Sequence, residues 1–471
     1  MTGGRRRAAA VAGVLLLSGC TSFAETVTTP SPEAASSSTG GDDDACPGRA
    51  EPDPDRPRVA LDFTLGDDLQ TVTGTQTVVF TPDRPVDELV FRLVPNGPDI
   101  APTGSRLVVD AVRGEDVADA AYESLGAVAP GGAYVVALDE PLPAGRSTDV
   151  ELDFTLTLGS GGFERLGADE GVSWWASGAP LLAWEPGVGW ARDPFVEISG
   201  ETTTSPVANT TVRVSAPADL TVLMTGAQAE PTAPDAEGRR TWTSTEPVAR
   251  DVSVAAGRFS TAERTTPDGV RITVGALPGA EPAAEDLADA TVEAIADLEE
   301  FLGPFPYGTL IVAQLRDHGG GIEYPSAILQ ATPSEEVLVH EVAHMWFYGM
   351  VGNSQFRDPW LDEAFATWAE AVVNPRSVER LEGALGIQGD VGVAMDEVRT
   401  QQQYGAWVYG KGGAALLEAR EVAGAETFDA AVRCYVDAHA WTIAGPEDVA
   451  AALAGLPEAL DVLVAAGALP D

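Results

Sequence analysis

Two histidines four residues apart, His340 and His344, enclose Glu341, and a further glutamate, Glu363, follows nineteen residues past His344. Residues four apart share one face of a helix about one turn from each other, so both imidazoles can reach a single metal ion. Glu341 stands beside the first ligand, where its carboxylate can accept a proton from an attacking water. Glu363 can supply a third ligand from a second helix, which leaves one position of a tetrahedral zinc site open. The chain has only four histidines, so the pattern is unlike a chance assortment on a surface helix. The constellation reads as a zinc hydrolase and requires two helices packed face to face.

The flanking residues predict those helices. Thr332-Pro333-Ser334-Glu335 offers a capping threonine, a proline at the first helical position and a glutamate three residues past the cap. Leu338, Val342 and Met345 repeat at helical spacing, and Gly349 and Gly352 offer a stop. Trp360 to Trp368 opens a second helix that is apolar on one side. Such packing fixes the ligands and excludes bulk water.

The pattern His-Glu-x-x-His, eighteen residues, then Glu within Trp360-Leu361-Asp362-Glu363-Ala364-Phe365-Ala366 resembles the gluzincin peptidases related to aminopeptidase N and leukotriene hydrolase. Three further segments agree in order. Phe301-Leu302-Gly303-Pro304-Phe305-Pro306-Tyr307 resembles the family's Phe-Gly-x-Tyr-Pro-Tyr turn, ahead of a strand at Leu310–Leu315. Gly320-Gly321-Ile322-Glu323-Tyr324-Pro325 resembles its exopeptidase motif Gly-x-Met-Glu-Asn, with isoleucine where methionine is usual. Val408-Tyr409-Gly410-Lys411-Gly412 resembles the Tyr-x-Lys-Gly segment. The match is strong over about residues 285 to 425.

The resemblance implies roles that chemistry supports. His340, His344 and Glu363 would hold one Zn2+, and Glu341 would be the general base. The negative oxygen formed on attack needs a donor beyond the metal. The resemblance assigns it to the Tyr409 phenol, with Tyr404 as a nearby competitor. Glu323 would pair with a peptide's free α-ammonium, so that only the first peptide bond reaches the metal; the other reading pairs it with an arginine such as Arg316. Gly320 and Gly321, after Gly319, let backbone approach the substrate closely. Ser326–Gln330 is expected as an edge strand that binds substrate backbone. A second group from the first domain often helps to grip the amine in this family, and Glu164 and Glu185 are candidates. Lys411 is the only lysine among 28 basic residues, and no chemistry is assigned to it.

Arg5-Arg6-Arg7, an apolar run from Ala8 to Leu17, and Leu17-Ser18-Gly19-Cys20 have the three parts of an export signal. The apolar run is too short for a stable span, and small residues before Cys20 suggest a lipoprotein signal, with cleavage before Cys20 and lipidation of its sulfur. Residues 21–57 are rich in Ser, Thr, Pro, Gly and Asp and read as a disordered tether. The expected location is extracytoplasmic, on a bacterial cell membrane. There an even pair of remaining cysteines, Cys46 and Cys434, favours a disulfide; the alternative is two separate thiols. A net charge of −44 argues against nucleic acid as a partner.

With 471 residues, 44% of them hydrophobic, the chain can build more than one core. Residues 58–262 alternate short β-rich runs with turn residues, which predicts an all-β sandwich or saddle, largely antiparallel. Trp174, Trp175, Trp184 and Trp190 cluster there and are assigned to core or domain interface. Residues 263–471 turn to a few strands and then helices, including Ala284–Phe301, Gly405–Val422 and Thr427–His439. The expected fold is therefore α+β and multidomain, with a β domain followed by a thermolysin-like mixed α/β catalytic domain with a helical lobe. Large relatives carry a further helical domain over the site; no segment here is long enough to supply one, which implies a more open site. The expected function is a zinc aminopeptidase acting on peptides. A zinc endopeptidase, or a cell-surface binding module with a vestigial metal site, are the alternatives.

Overall fold

The computed structural model describes residues 46–160, 165–200, 203–316 and 319–470. Cys20 and its signal, most of the tether, and Glu164 lie outside the described residues.

Alternation builds the first half. In Arg58–Leu65 the residues Leu61, Phe63 and Leu65 are buried while their neighbours face outward, as a period of two requires of a sheet with one dry face. The same rhythm runs through Thr71–Phe80 and Thr148–Thr157. These strands belong to a seven-stranded sheet in the order 227–228, 239–249, 208–217, 58–65, 71–80, 148–157, 106–113. Gly74 is fixed by packing, because a Cβ there would fall 2.2 Å from the Phe154 ring. A four-stranded sheet containing Val86–Arg92 and Ala133–Leu142 shares its core. Pairing is antiparallel as expected, except that Arg58–Leu65 runs parallel to Ala208–Pro217.

A third sheet, in the order Thr221–Met224, Ser253–Gly257, Val172–Ala176, Leu166–Asp169, faces the second half. Trp174 in it joins one apolar cluster with Ile311, Tyr324 and Leu329. Trp175 and Trp184 lie in the β core and Trp190 packs against it.

The second half opens with a five-stranded mixed sheet, Ser260–Thr265, Arg271–Ala276, Thr309–Gln314, Ala327–Ala331 and Gly320–Tyr324 in spatial order. Its edge corrects one expectation. The strand Ala327–Ala331 is internal, paired on both sides, and the edge is Gly320–Tyr324. The chain passes the edge first and then turns inward at Ser326, whose φ is 52°. Helices follow: Ala284–Leu302, Glu335–Ala343, Trp360–Val373, Gly412–Ala423 and Ala425–Ala438. They pack around Trp346, Trp360, Phe365 and Trp368, all fully buried. The fold is the α+β arrangement expected, a β-rich half followed by a mixed sheet and helices.

Residues 46–57, read from sequence as part of the tether, are held to this body. Cys46 is disulfide-bonded to Cys434, Arg49 pairs with Asp437 at 3.0 Å, and the Ala50 amide donates to the Asp437 carbonyl. A cross-link closing 388 residues restricts the unfolded chain strongly. Replacing Cys46 and Cys434 with serine is expected to lower the unfolding free energy by about 3 kcal/mol, measured by denaturant titration against the oxidised wild type.

Candidate metal centre

The helix Glu335–Ala343 is capped by Ser334, whose hydroxyl accepts from the Val337 amide at 3.3 Å. The expected cap, Thr332, lies two residues too early: Pro333 cannot donate, and the chain enters the helix after it. Leu338, Val342 and Met345 face the core. His340, Glu341 and His344 are left facing the helix Trp360–Val373, which buries Trp360, Leu361, Phe365 and Trp368 and carries Glu363 in its first turn.

These two helices bring three donor atoms together. His340 Nε2 lies 3.1 Å from His344 Nε2, and each lies 3.3 Å from Glu363 Oε2. Tetrahedral bonds of about 2.0–2.1 Å would place neighbouring donors about 3.3 Å apart, so the triangle fits a zinc-sized cation without rearrangement. The remaining ring nitrogens are engaged as metal-ligand histidines require. His344 Nδ1 faces the Phe347 carbonyl at 3.3 Å, and His340 Nδ1 faces Glu370 at 3.5 Å. Glu370 is itself held by Ser377 at 2.6 Å and by Arg380. Sequence reasoning missed Glu370, although its place two turns past Glu363 on the same helix was a usable signal.

Charge in the site is unevenly placed. Despite burial, hydrogen bonds that its ring donates to Glu363 and Glu370 hold the His340 imidazole well above its ordinary pKa. His344 is raised to about 9 against the pull of burial, by the fields of Glu323 and Glu363 and a bond to Glu363. Burial opposes the charge on Glu363 as well, yet both histidines hold it well below the carboxylate range. For Glu341, burial dominates and pushes the carboxyl up to about 8.

Glu341 turns toward the strand Gly320–Tyr324. A Cβ on Gly321 would fall 2.7 Å from the Glu341 side chain, so glycine is what admits this approach. Glu323 is on the same face of that strand, and ligand atoms of Glu323, Glu341 and His344 lie within 4.8 Å of one another. Glu323 Oε1 and Glu341 Oε2 are buried with no protein partner. Gly320 begins the strand. Arg316, the alternative partner for Glu323, pairs instead with Asp169 and Glu170.

Tyr409 arrives differently from expectation. The helix predicted over Gly405–Val422 is a π-helical turn over Gly405–Lys411 followed by the α-helix Gly412–Ala423. A π turn has one more residue than an α turn and re-aims the side chains it carries. Here the Tyr409 ring stacks on His340, centroids 5.9 Å apart, and its hydroxyl donates to Glu363 Oε1. Tyr404 is buried against Gly200, where a Cβ would meet its ring at 2.9 Å. Lys411 donates to the Gly389 carbonyl, tying the π turn to the preceding loop. Glu185 forms an ion pair with Arg357.

Residues 323–389 match the Peptidase family M1 domain. The rice Aminopeptidase M1-A (Oryza sativa subsp. japonica) is 26% identical over 239 residues, 43% of this chain and 27% of that protein. Human Endoplasmic reticulum aminopeptidase 1 is 24% identical over 225 residues, 41% of this chain and 24% of that protein. The chain thus spans about a quarter of the length of the curated relatives it matches. An M1 zinc metallopeptidase from Deinococcus radiodurans superposes with a TM-score of 0.67 at 20% identity, over 88% of this chain and 93% of that one. The likeness of this chain, in sequence over residues 323–389 and in fold over most of its length, is to the M1 aminopeptidase N-like gluzincins.

Two outcomes follow from this geometry. The neighbouring carboxylates favour protons on the imidazoles, and a cation bound at the triangle displaces them. Zinc added at pH 7 in weak buffer should release protons, and its apparent affinity should fall as the pH is lowered; a potentiometric titration with no release would contradict the arrangement. Glu370→Gln should weaken zinc binding by about 10- to 100-fold, read by competition with a chromophoric chelator.

Proposed function

We propose that the protein is a zinc-dependent aminopeptidase, exported and held to the bacterial cell membrane through a lipid on Cys20. The observation that carries the catalytic reading is the donor triangle of His340, His344 and Glu363 with Glu341, Tyr409 and Glu323 grouped around it. A structural metal site needs three or four ligands but neither a buried base nor a phenol at its edge. Bound zinc would polarise the scissile carbonyl and acidify the attacking water.

The chain's own residues supply the rest. Glu341, with its pKa pushed up to about 8, takes the proton of the attacking water and passes it to the leaving amine. Tyr409, whose pKa burial raises well above the ordinary value, remains a hydrogen-bond donor to the developing oxyanion. Glu323 pairs with the substrate's α-ammonium. The edge strand Gly320–Tyr324 has an unpaired side along which an extended peptide can add as a further strand. The Deinococcus metallopeptidase has been solved with a Tyr-Ser-Ala substrate, which supports a peptide as the ligand class. The membrane reading rests on the sequence around Cys20.

An alanyl or leucyl amide reporter tests the activity. Glu341→Gln should lower kcat by about 10³-fold with zinc retained, and Tyr409→Phe by about 10²-fold with KM little changed. Acetylating the substrate amine should abolish cleavage; equal cleavage of blocked peptides would make the enzyme an endopeptidase. Cys20→Ser should shift the protein from the membrane fraction to the soluble one.

A further inference from the structure

The strand that carries Glu323 pairs along one side with Ala327–Ala331 and is also secured by side chains of the other half of the molecule. Successive residues of a strand point to opposite faces. Gly321 and Glu323 face the metal helix, whereas Tyr324 is fully buried in the cluster shared with Trp174 and Leu223, and Ile322 packs against that cluster. The Tyr324 hydroxyl accepts a hydrogen bond from Arg165 at 3.0 Å. It also bonds Ser177, whose hydroxyl donates to Asp251. Arg165, Ser177 and Asp251 all belong to the β half; Arg165 and Ser177 are buried and Asp251 is half-buried. Two residues on, Ser326 donates to Glu246 of the β half at 3.0 Å and accepts from the Gly226 amide at 3.0 Å. Arg316, just before the strand, pairs with Asp169 and Glu170 of the same half.

We infer that Arg165, with Ser177 and Asp251, is a positioning group for Glu323: by clamping Tyr324, the β half sets where the carboxylate that receives the substrate amine stands relative to the metal. The inference rests on the aminopeptidase reading above. A guanidinium bonded to a phenol and screened from water holds its geometry more firmly than exposed pairs do. The neighbouring Tyr324 and Glu323 share one strand backbone, so a shift at one is a shift at the other. The β half thereby acts on amine recognition while the metal ligands rest on helices of their own.

Tyr324→Phe removes the hydroxyl and leaves the ring in its apolar cluster, so the fold should persist; Arg165→Met and Arg165→Lys complete the set. Each is assayed for zinc content, thermal melting and hydrolysis of a free-amine reporter beside its acetylated counterpart. The expected result for Tyr324→Phe is a KM for the free-amine reporter raised about tenfold, with zinc content retained and kcat changed far less. Arg165→Met should do the same or more, and Arg165→Lys should recover part of the loss. A wild type that needs the free amine, together with a Tyr324→Phe variant of unchanged KM, overturns the inference alone. A wild type that cleaves both reporters equally overturns the amine-clamp reading and the inference with it. Equal loss of kcat and zinc in all three variants would mark a merely structural contact and also overturn it.

Discussion

Everything in the second half depends on one packing contact, that of the helix Glu335–Ala343 against the helix Trp360–Val373. Three donor atoms within 3.3 Å of one another cannot be held by side-chain preference alone, since two imidazoles and a carboxylate have many ways to spread apart. The apolar faces under them remove that freedom. Trp346, Trp360, Phe365 and Trp368 are large, rigid and fully buried, and Phe347, just past the first helix, stacks on Phe365 of the second.

What could be read from sequence was what depends on short spacing. The four-residue interval of His340 and His344, the apolar repeat behind it and the second helix at Trp360 are local patterns, and the structure has them where the pattern puts them. The alternating strands of the first half were legible for the same reason. Strand order was not legible. Gly320–Tyr324 and Ala327–Ala331 are both short and apolar, and only the path of the chain through Ser326 decides which lies inside. The π turn at Gly405–Lys411 was hidden too, because nothing in Gly-Ala-Trp-Val-Tyr-Gly-Lys distinguishes it from an α-helix. Its tie between Lys411 and the Gly389 carbonyl is a contact between segments twenty-two residues apart. The cysteine pair, by contrast, was readable over 388 residues because the expected export signal leaves Cys46 and Cys434 as an even pair.

The residues that sequence could not find share a property: they act on the site through another side chain. Glu370 orients His340, and Arg165 reaches the edge strand through Tyr324. Their partners are fixed by tertiary packing, so their own sequence neighbourhood carries little trace of the function.

Charge explains why such supports are needed. Glu323, Glu341, Asp362, Glu363 and Glu370 are all buried around two imidazoles. Burial first, and the field of Glu363 with it, push the carboxyl of Asp362 up to about 8. A carboxylate among carboxylates moves away from its neighbours unless something holds it. Glu370 is held by Arg380 and Ser377, and Glu363 by both histidines and Tyr409. For Glu323, on the edge of a sheet and beside Glu341, the restraint has to come through the strand itself. That strand is anchored from the β half at Tyr324 and Ser326, so both halves of the chain shape the candidate site although His340, His344 and Glu363 all lie in the second.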